Sequence, residues 1–363
     1  MEYRSNRRTG DRISVLGFGT SYIANTAEKD AVETLQKAYA GGVNYFDLAT
    51  AEARTFSYFG TALGSVRRNV FYQIHFGADY LTGTYGWTTD ADTIRRSIDW
   101  QLKTLKTDYI DYGFIHCIDE VSHWQEYQRN GAYTLLLDMK KQGIVRHIGL
   151  SSHTPSTIQQ ILDEAPVDML MFSINPGYDY HKGEYAKGSV EERAAIYRRC
   201  EAAGIGISVM KPFSGGQLLD AALSPFGQAL TQYQCMQYAL DRPGVLTVLP
   251  GMNSVEQAEH LLRFFEASDA EKDYSLIGSF SPADAVGRCV YCNHCKPCPA
   301  GIDIGLVNKY YDLARNGASM AAEHYHGLAL HAQDCLQCGH CNHRCPFEVN
   351  QMARMKEIAD YFC

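Results

Sequence analysis

The sequence predicts an α/β protein in two parts, a (β/α)8 TIM barrel over residues 1–272 followed by a small α-helical, cysteine-rich domain over 281–363. Three observations predict it. Eight short apolar runs alternate with amphipathic stretches over about 250 residues, the arithmetic of such a barrel. No G-x-G-x-x-G follows the first run, as a doubly wound dinucleotide-binding sheet would require. Only Cys117, Cys200 and Cys235 precede residue 289, although the chain has 12 cysteines.

Taken in order, the candidate strands are 15–18, 45–48, 70–74, 109–115, 147–150, 169–174, 206–210 and 245–249. Helical apolar spacing fills the gaps at 30–40, 90–105, 133–142, 155–164, 191–203 and 254–265. The polar segment 270–284, with Ser281-Pro282, reads as a linker. Of 363 residues 45% are hydrophobic and 20% charged, which supplies a sizeable core. A net charge of −8 argues against nucleic acid or an anionic membrane as partner. No apolar run reaches the ~18 residues of a membrane span, and no apolar stretch follows the charged N-terminus. A cytoplasmic protein is expected.

Two cysteine runs dominate the last part. The first is Cys289-x2-Cys292-x2-Cys295-x2-Cys298-Pro299, and the second is Cys335-x2-Cys338-x2-Cys341-x3-Cys345-Pro346. The second matches the two-cluster ferredoxin spacing, in which three close thiolates hold one 4Fe–4S cluster and the fourth reaches the other. The first run is one residue short before its last cysteine. In the crossed pattern, Cys289, Cys292, Cys295 and Cys345 hold one cluster, and Cys335, Cys338, Cys341 and Cys298 the other. Structural zinc also uses C-x2-C pairs, but triplets closed by Cys-Pro suit clusters better. A disulfide scaffold does not suit a large chain without a secretory signal. With helical spacing at 304–313 and 349–362, the domain reads as ferredoxin-like.

In a barrel, function sits at the C-terminal ends of the strands. Those ends carry Asp47, His75, His116, Ser151-Ser152-His153, Asn175, Met210-Lys211-Pro212 and Pro250-Gly251-Met252-Asn253-Ser254. With Leu16-Gly17-Phe18-Gly19-Thr20, Asn44-Tyr45-Phe46-Asp47 and Asp108-Tyr109-Ile110-Asp111, this order resembles the aldo/keto reductase superfamily over essentially the whole first domain. The cysteine-rich tail makes it similar to the iron–sulfur branch. The resemblance implies NAD(P) at the barrel mouth and hydride transfer to or from a carbonyl carbon of a small-molecule substrate.

The family's catalytic set is Asp, Tyr, Lys and His. Asp47 and His116 match it. Five residues after the aspartate, where the family has tyrosine, stands Glu52; at the lysine position stands His75. The implied set is therefore Asp47, Glu52, His75 and His116, groups that titrate below a phenol. Tyr58 is the alternative acid, although its helical setting favours the core. Cys117 reads as a packing neighbour of His116. By the same resemblance Gly19, Thr20, Ser151, Ser152, Asn175, Met210, Lys211, Gly251, Asn253, Ser254 and Gln257 occupy cofactor positions. Gly251 admits close backbone approach to a phosphate, and the helix start at Ser254 favours an anion. The family's arginine near Asn253 for the adenosine 2′-phosphate is missing, so NAD and NADP stay equally open.

The favoured reading is an oxidoreductase acting on an alcohol or carbonyl of a sugar or polyol, with two 4Fe–4S clusters relaying electrons to or from a protein partner. A hydride carries two electrons and each cluster one, so a flavin is a further cofactor to test. Two other readings stay open. One is a non-redox isomerase or lyase with structural clusters; the other is an electron-transfer or sensor module with a vestigial barrel.

Overall fold

The computed structural model describes residues 1–180, 186–279, 287, 289, 295–315, 321–345 and 347–362. An N-terminal antiparallel hairpin pairs β1 (Tyr3–Ser5) with β2 (Arg12–Ser14). Besides a short antiparallel pair, Ala78–Asp79 with Gly86–Trp87, seven strands follow in the main sheet: β3 (Tyr45–Asp47), β4 (Phe71–Phe76), β5 (Ile110–Ile115), β6 (Val145–Ser151), β7 (Met169–Ser173), β8 (Gly206–Met210) and β9 (Val245–Val248). They form one sheet in sequence order, each strand bonded to the next. Residues 15–19 take the eighth position. Leu16 bridges Val248 and Gly19 bridges Gly251 on one side, while Phe18 bridges Phe46 on the other. This closes the barrel. A Cβ at Gly19 would stand 2.6 Å from the Leu249 carbonyl oxygen, so the tight closure requires glycine there.

The helices begin and end where local chemistry dictates. Helix Ala91–Leu105 starts at Asp90, whose carboxylate accepts from the Thr93 amide, and stops at Lys106 in the left-handed conformation. Helix Val190–Ala203 has a Ser189/Glu192 capping box and ends at Gly204, again left-handed. The hairpin covers the N-terminal end of the barrel: the Tyr112 hydroxyl donates to Asp11 Oδ2 at 2.6 Å, and Asn6 Nδ2 donates to the Asp168 carbonyl at 3.0 Å. Inside, Tyr45, Tyr112, Phe114, Met169, Met171 and Met210 form a dry layer.

The chain forms two compact units. One comprises Met1–Ile174, Ile205–Pro212 and Leu246–Ala267; the other comprises Asn175–Gly204, Phe213–Val245 and Ser268–Cys363. The grouping follows contacts, whereas the expected boundary between 272 and 281 followed composition; residues 281–286 lie outside those described. In the second unit, helices Ile304–Arg315 and Gln351–Phe362 bury Val307, Tyr311, Met355 and Ile358 around Cys295 and Cys341. Tyr325 stacks on Phe362 with ring centroids 4.0 Å apart. No helix among the described residues is long and apolar enough to cross a membrane.

Candidate active site

Alternate residues of a strand share a face. Tyr45 and Asp47 on β3, Gln73 and His75 on β4, and Tyr112, Phe114 and His116 along β5 therefore rise in step from the dry layer to the mouth. The register agrees, pairing Asp47 with Gln73 and His75 with Phe114. The polar groups meet in a chain. His75 Nε2 lies 2.8 Å from Asp47 Oδ1, and His75 Nδ1 lies 2.9 Å from His116 Nδ1. His116 Nε2 lies 2.9 Å from the Tyr85 hydroxyl.

Gln73 locks the inner end. Its Oε1 accepts from Tyr45 and Ser208 hydroxyls at 2.8 and 3.1 Å, so its Nε2 is turned to donate to Asp47 Oδ1 at 3.1 Å. Asp47, His75 and His116 are buried, whereas Tyr85 is 43% exposed and forms the outer end. Burial, reinforced by the His75 and His153 imidazoles, holds His116 well below the usual histidine range against an opposing pull from Asp119. Burial also raises the Tyr85 phenol to about 12.

Of the expected acid–base set, the structure brings together Asp47, His75 and His116. The Glu52 side chain, half-buried, joins none of these bonds. Its backbone instead bridges Thr84, and the Tyr85 amide donates to the Ala51 carbonyl at 2.9 Å. The loop carrying Tyr85 is thereby laid along residues 51–53 and delivers a phenol to the mouth. Sequence reasoning missed Tyr85. Its only signal was a tyrosine beside Gly83 and Gly86 in the loop after the third strand. Tyr58 is 4% exposed within helix Thr55–Leu63, as a core residue should be.

The expected cofactor residues are largely engaged in contacts within the protein. Thr20 Oγ1 donates to the Ala49 carbonyl, and the Ser151 carbonyl accepts from the Ile118 amide. Ser152 Oγ donates to Asp119 Oδ1 at 3.1 Å. Ser254 and Gln257 cap the helix Val255–Leu262: Ser254 Oγ accepts from the Gln257 amide, and Gln257 Oε1 accepts from the Asn253 amide. A Cβ at Gly251 would stand 2.1 Å from the Tyr22 ring, so the glycine makes room for that ring. Met210 joins the dry layer. Asn175 belongs to the other compact unit, where its side chain caps helix Pro176–Asp179. Lys211 Nζ lies 3.1 Å from His153 Nε2. Asp119 binds His153 Nδ1 at 2.9 Å; burial acts to raise its carboxyl, but the bonds from His153 and Ser152 prevail and hold it at about 2. Cys117 is not ordinary strand packing. It follows β5 with a left-handed backbone (φ 50°), which frees it from strand alternation.

In the second unit, Cys298, Cys335, Cys338 and Cys341 line one cavity with Pro299, Ala300, Ile302, Ile304 and Met352. Gln337 (φ 55°) and Gly339 (φ 75°) curl the loop between the later cysteines, and the Gln337 amide donates to Cys335 Sγ at 3.4 Å. Cys289 lines a separate charged cavity with Asp312, Arg315 and Arg354. Cys295 is buried and Cys345 half-buried, while Cys292 lies outside the described residues.

A closed parallel barrel with titratable groups gathered at its C-terminal mouth defines the class as an α/β-barrel enzyme. The model of the Aldo/keto reductase family matches residues 15–230, more than half of the chain, and the chain belongs to that family of oxidoreductases. It is 25% identical over 299 residues to L-galactose dehydrogenase of Arabidopsis thaliana, covering 71% of this chain and 86% of the relative. It is 22% identical to D-threo-aldose 1-dehydrogenase of Pseudomonas sp, covering 58% and 69% respectively. Among solved structures, aldo-keto reductase AKR11C1 from Bacillus halodurans (holo form) superposes with a TM-score of 0.61 at 20% identity, covering 77% of this chain and 96% of that one.

Proposed function

We propose that the protein oxidises a hydroxyl of a sugar-like polyol to a carbonyl at the barrel mouth, with NAD(P) as hydride acceptor. The carrying observation is the Asp47–His75–His116–Tyr85 chain. With Asp47 ionised and both imidazoles neutral, only one proton arrangement satisfies every bond. His75 Nε2–H donates to Asp47, His116 Nδ1–H donates to His75 Nδ1, and the Tyr85 hydroxyl donates to His116 Nε2. Tyr85 oxygen is then free to accept.

As the substrate C–H leaves as hydride, its hydroxyl proton passes to Tyr85. Tyr85 gives its own proton to His116 Nε2, and His116 gives its Nδ1 proton to His75. The proton rests on His75 as an imidazolium paired with the Asp47 carboxylate, which stabilises the cation without itself being protonated, as in other histidine–aspartate pairs. Reduction runs the same chain backwards. His75 thus alternates between neutral and cationic where the family keeps a lysine.

The nicotinamide supplies the hydride-accepting carbon when bound. Two positive ends suit its phosphates, the Lys211 ammonium and the N-terminus of helix Val255–Leu262. Sugar dehydrogenases among the relatives support a polyol substrate. The cysteines in one apolar cavity support a 4Fe–4S cluster on Cys298, Cys335, Cys338 and Cys341. The remaining set, Cys289, Cys292, Cys295 and Cys345, holds the second, and both supply one-electron transfer to a protein partner when loaded. The test is anaerobic turnover of a polyol panel with NAD+ and NADP+. Cofactor reduction with at least one polyol, lost in Tyr85→Phe, is expected. No reduction across the panel with either nucleotide would overturn the reading.

A further inference from the structure

Beside the acid–base chain, a second group of side chains converges at the ends of β5, β6 and β8. Cys117 Sγ, an Asp119 carboxylate oxygen and a His153 ring nitrogen all lie within 4.8 Å of one another. We propose that they bind one divalent transition-metal ion of the zinc class.

Four features of the group carry the assignment. The donors are one sulfur, one imidazole and one carboxylate, a set that suits zinc-class ions and not the hard oxygen-seeking cations. Three protein donors leave a fourth position for water or a substrate hydroxyl, the arrangement of catalytic rather than structural sites. Asp119 is already oriented: its Oδ1 accepts from Ser152 Oγ at 3.1 Å and from the His153 amide at 2.6 Å, which turns Oδ2 towards His153 Nδ1. Finally, Cys117 and Lys211 both hold left-handed backbones without being glycine, at φ 50° and 54°. Such strain gathers at functional sites. Here both strained residues direct side chains to the same histidine-centred group.

Lys211 Nζ, 3.1 Å from His153 Nε2, is the competitor of the metal. While the lysine ammonium donates to Nε2, the imidazole proton sits on Nδ1 and points at Asp119. A metal on Nδ1 sends that proton to Nε2, so Lys211 must swing away or lose a proton. Binding also ionises the Cys117 thiol, and its proton goes to solvent. The lysine therefore acts as a cationic stopper that metal binding displaces.

The full chain, purified anaerobically with its iron content measured, is dialysed against buffered Zn2+ and analysed for zinc and iron. Wild type should take up one zinc that Cys117→Ser and His153→Gln bind more than about 100-fold more weakly, with iron unchanged. Lys211→Met should bind the same zinc more tightly, a gain that misfolding cannot produce. Equal zinc affinity in wild type and Cys117→Ser overturns the site. A Lys211→Met protein that binds no tighter overturns the competition and the Nδ1 assignment. Both readouts are independent of turnover, so they separate this inference from the proposed reaction.

Discussion

His116 and His75 face each other through their Nδ1 atoms at 2.9 Å, so one ring holds a proton between them and the other is bare there. Asp47 decides which. Its Oδ1, 2.8 Å from His75 Nε2 and also accepting from Gln73, keeps the His75 proton on Nε2 and leaves Nδ1 to accept. Orientation thus propagates outward, from a buried carboxylate to an exposed phenol.

Asp47→Asn tests this ordering. An amide that turns its NH2 towards His75 reverses the tautomer and points every later bond the wrong way. The chemical rate should fall by about 10²–10⁴-fold while nucleotide binding, followed by fluorescence titration, is nearly unchanged. A rate within a few-fold of wild type would show that the buried carboxylate does not set the chain.

Tyr85→Phe keeps the ring and removes the hydroxyl bonded to His116 Nε2. Loss of a general acid–base group predicts a fall in kcat of about 10²–10⁴-fold. Glu52→Gln and Tyr58→Phe should each stay within about tenfold, because neither side chain joins the chain. A large loss in Glu52→Gln with normal turnover in Tyr85→Phe would restore the role that its sequence position suggests.

That contrast shows what the sequence discloses and what it does not. Asp47, His75 and His116 were legible as residues at strand ends, because each strand's end can be read from that strand alone. Counting five residues from Asp47 led to Glu52, but a count cannot see that the loop through Gly83 and Tyr85 folds back along residues 51–53. Cys117 lies where strand alternation no longer applies, because it follows β5 with a left-handed backbone. The capping roles of Ser254 and Gln257 were implicit in their three-residue spacing, yet the same residues also fitted a phosphate site.

Arg67 anchors the other end of the barrel. Its guanidinium lies 2.7 Å from Asp111 Oδ2, donates to the Val70 and Tyr109 carbonyls, and sits 4.2 and 4.0 Å from the Tyr72 and Tyr109 ring centres. Arg67→Met leaves buried Asp111 with the Tyr72 amide, at 2.9 Å, and the half-exposed Arg146, at 3.0 Å. Breaking a buried pair from one side should cost about 3–5 kcal/mol, read from denaturant unfolding. A loss below about 1 kcal/mol would mean that Arg146 and the Tyr72 amide together compensate the carboxylate.

His147 couples stability to pH. Burial lowers its pKa, and Lys140 adds to this against the opposing Asp11 and Asp168 carboxylates. As pH falls through the ordinary histidine value of ~6.5, the unfolded chain gains a proton that the folded chain refuses, so this contribution to stability is lost on acidification. Thermal midpoints between about pH 7 and 5 should therefore decline less steeply in His147→Gln than in wild type. Parallel declines would remove His147 as a source of the slope.

Cys298 belongs by sequence to the first cysteine run but shares its cavity with Cys335, Cys338 and Cys341 of the second. If each cluster takes its fourth thiolate from the other run, a substitution should be felt across the fold rather than along the chain. Anaerobically purified wild type should carry about eight irons, and a preparation holding zinc alone in the tail would remove the clusters from the account. Cys298→Ser should alter the same component of the reduced-state electron paramagnetic resonance spectrum as Cys338→Ser, because serine replaces a thiolate on one shared cluster. Cys292→Ser should alter the other component. Were Cys298→Ser to match Cys292→Ser instead, each run would hold its own cluster and the crossing would be wrong.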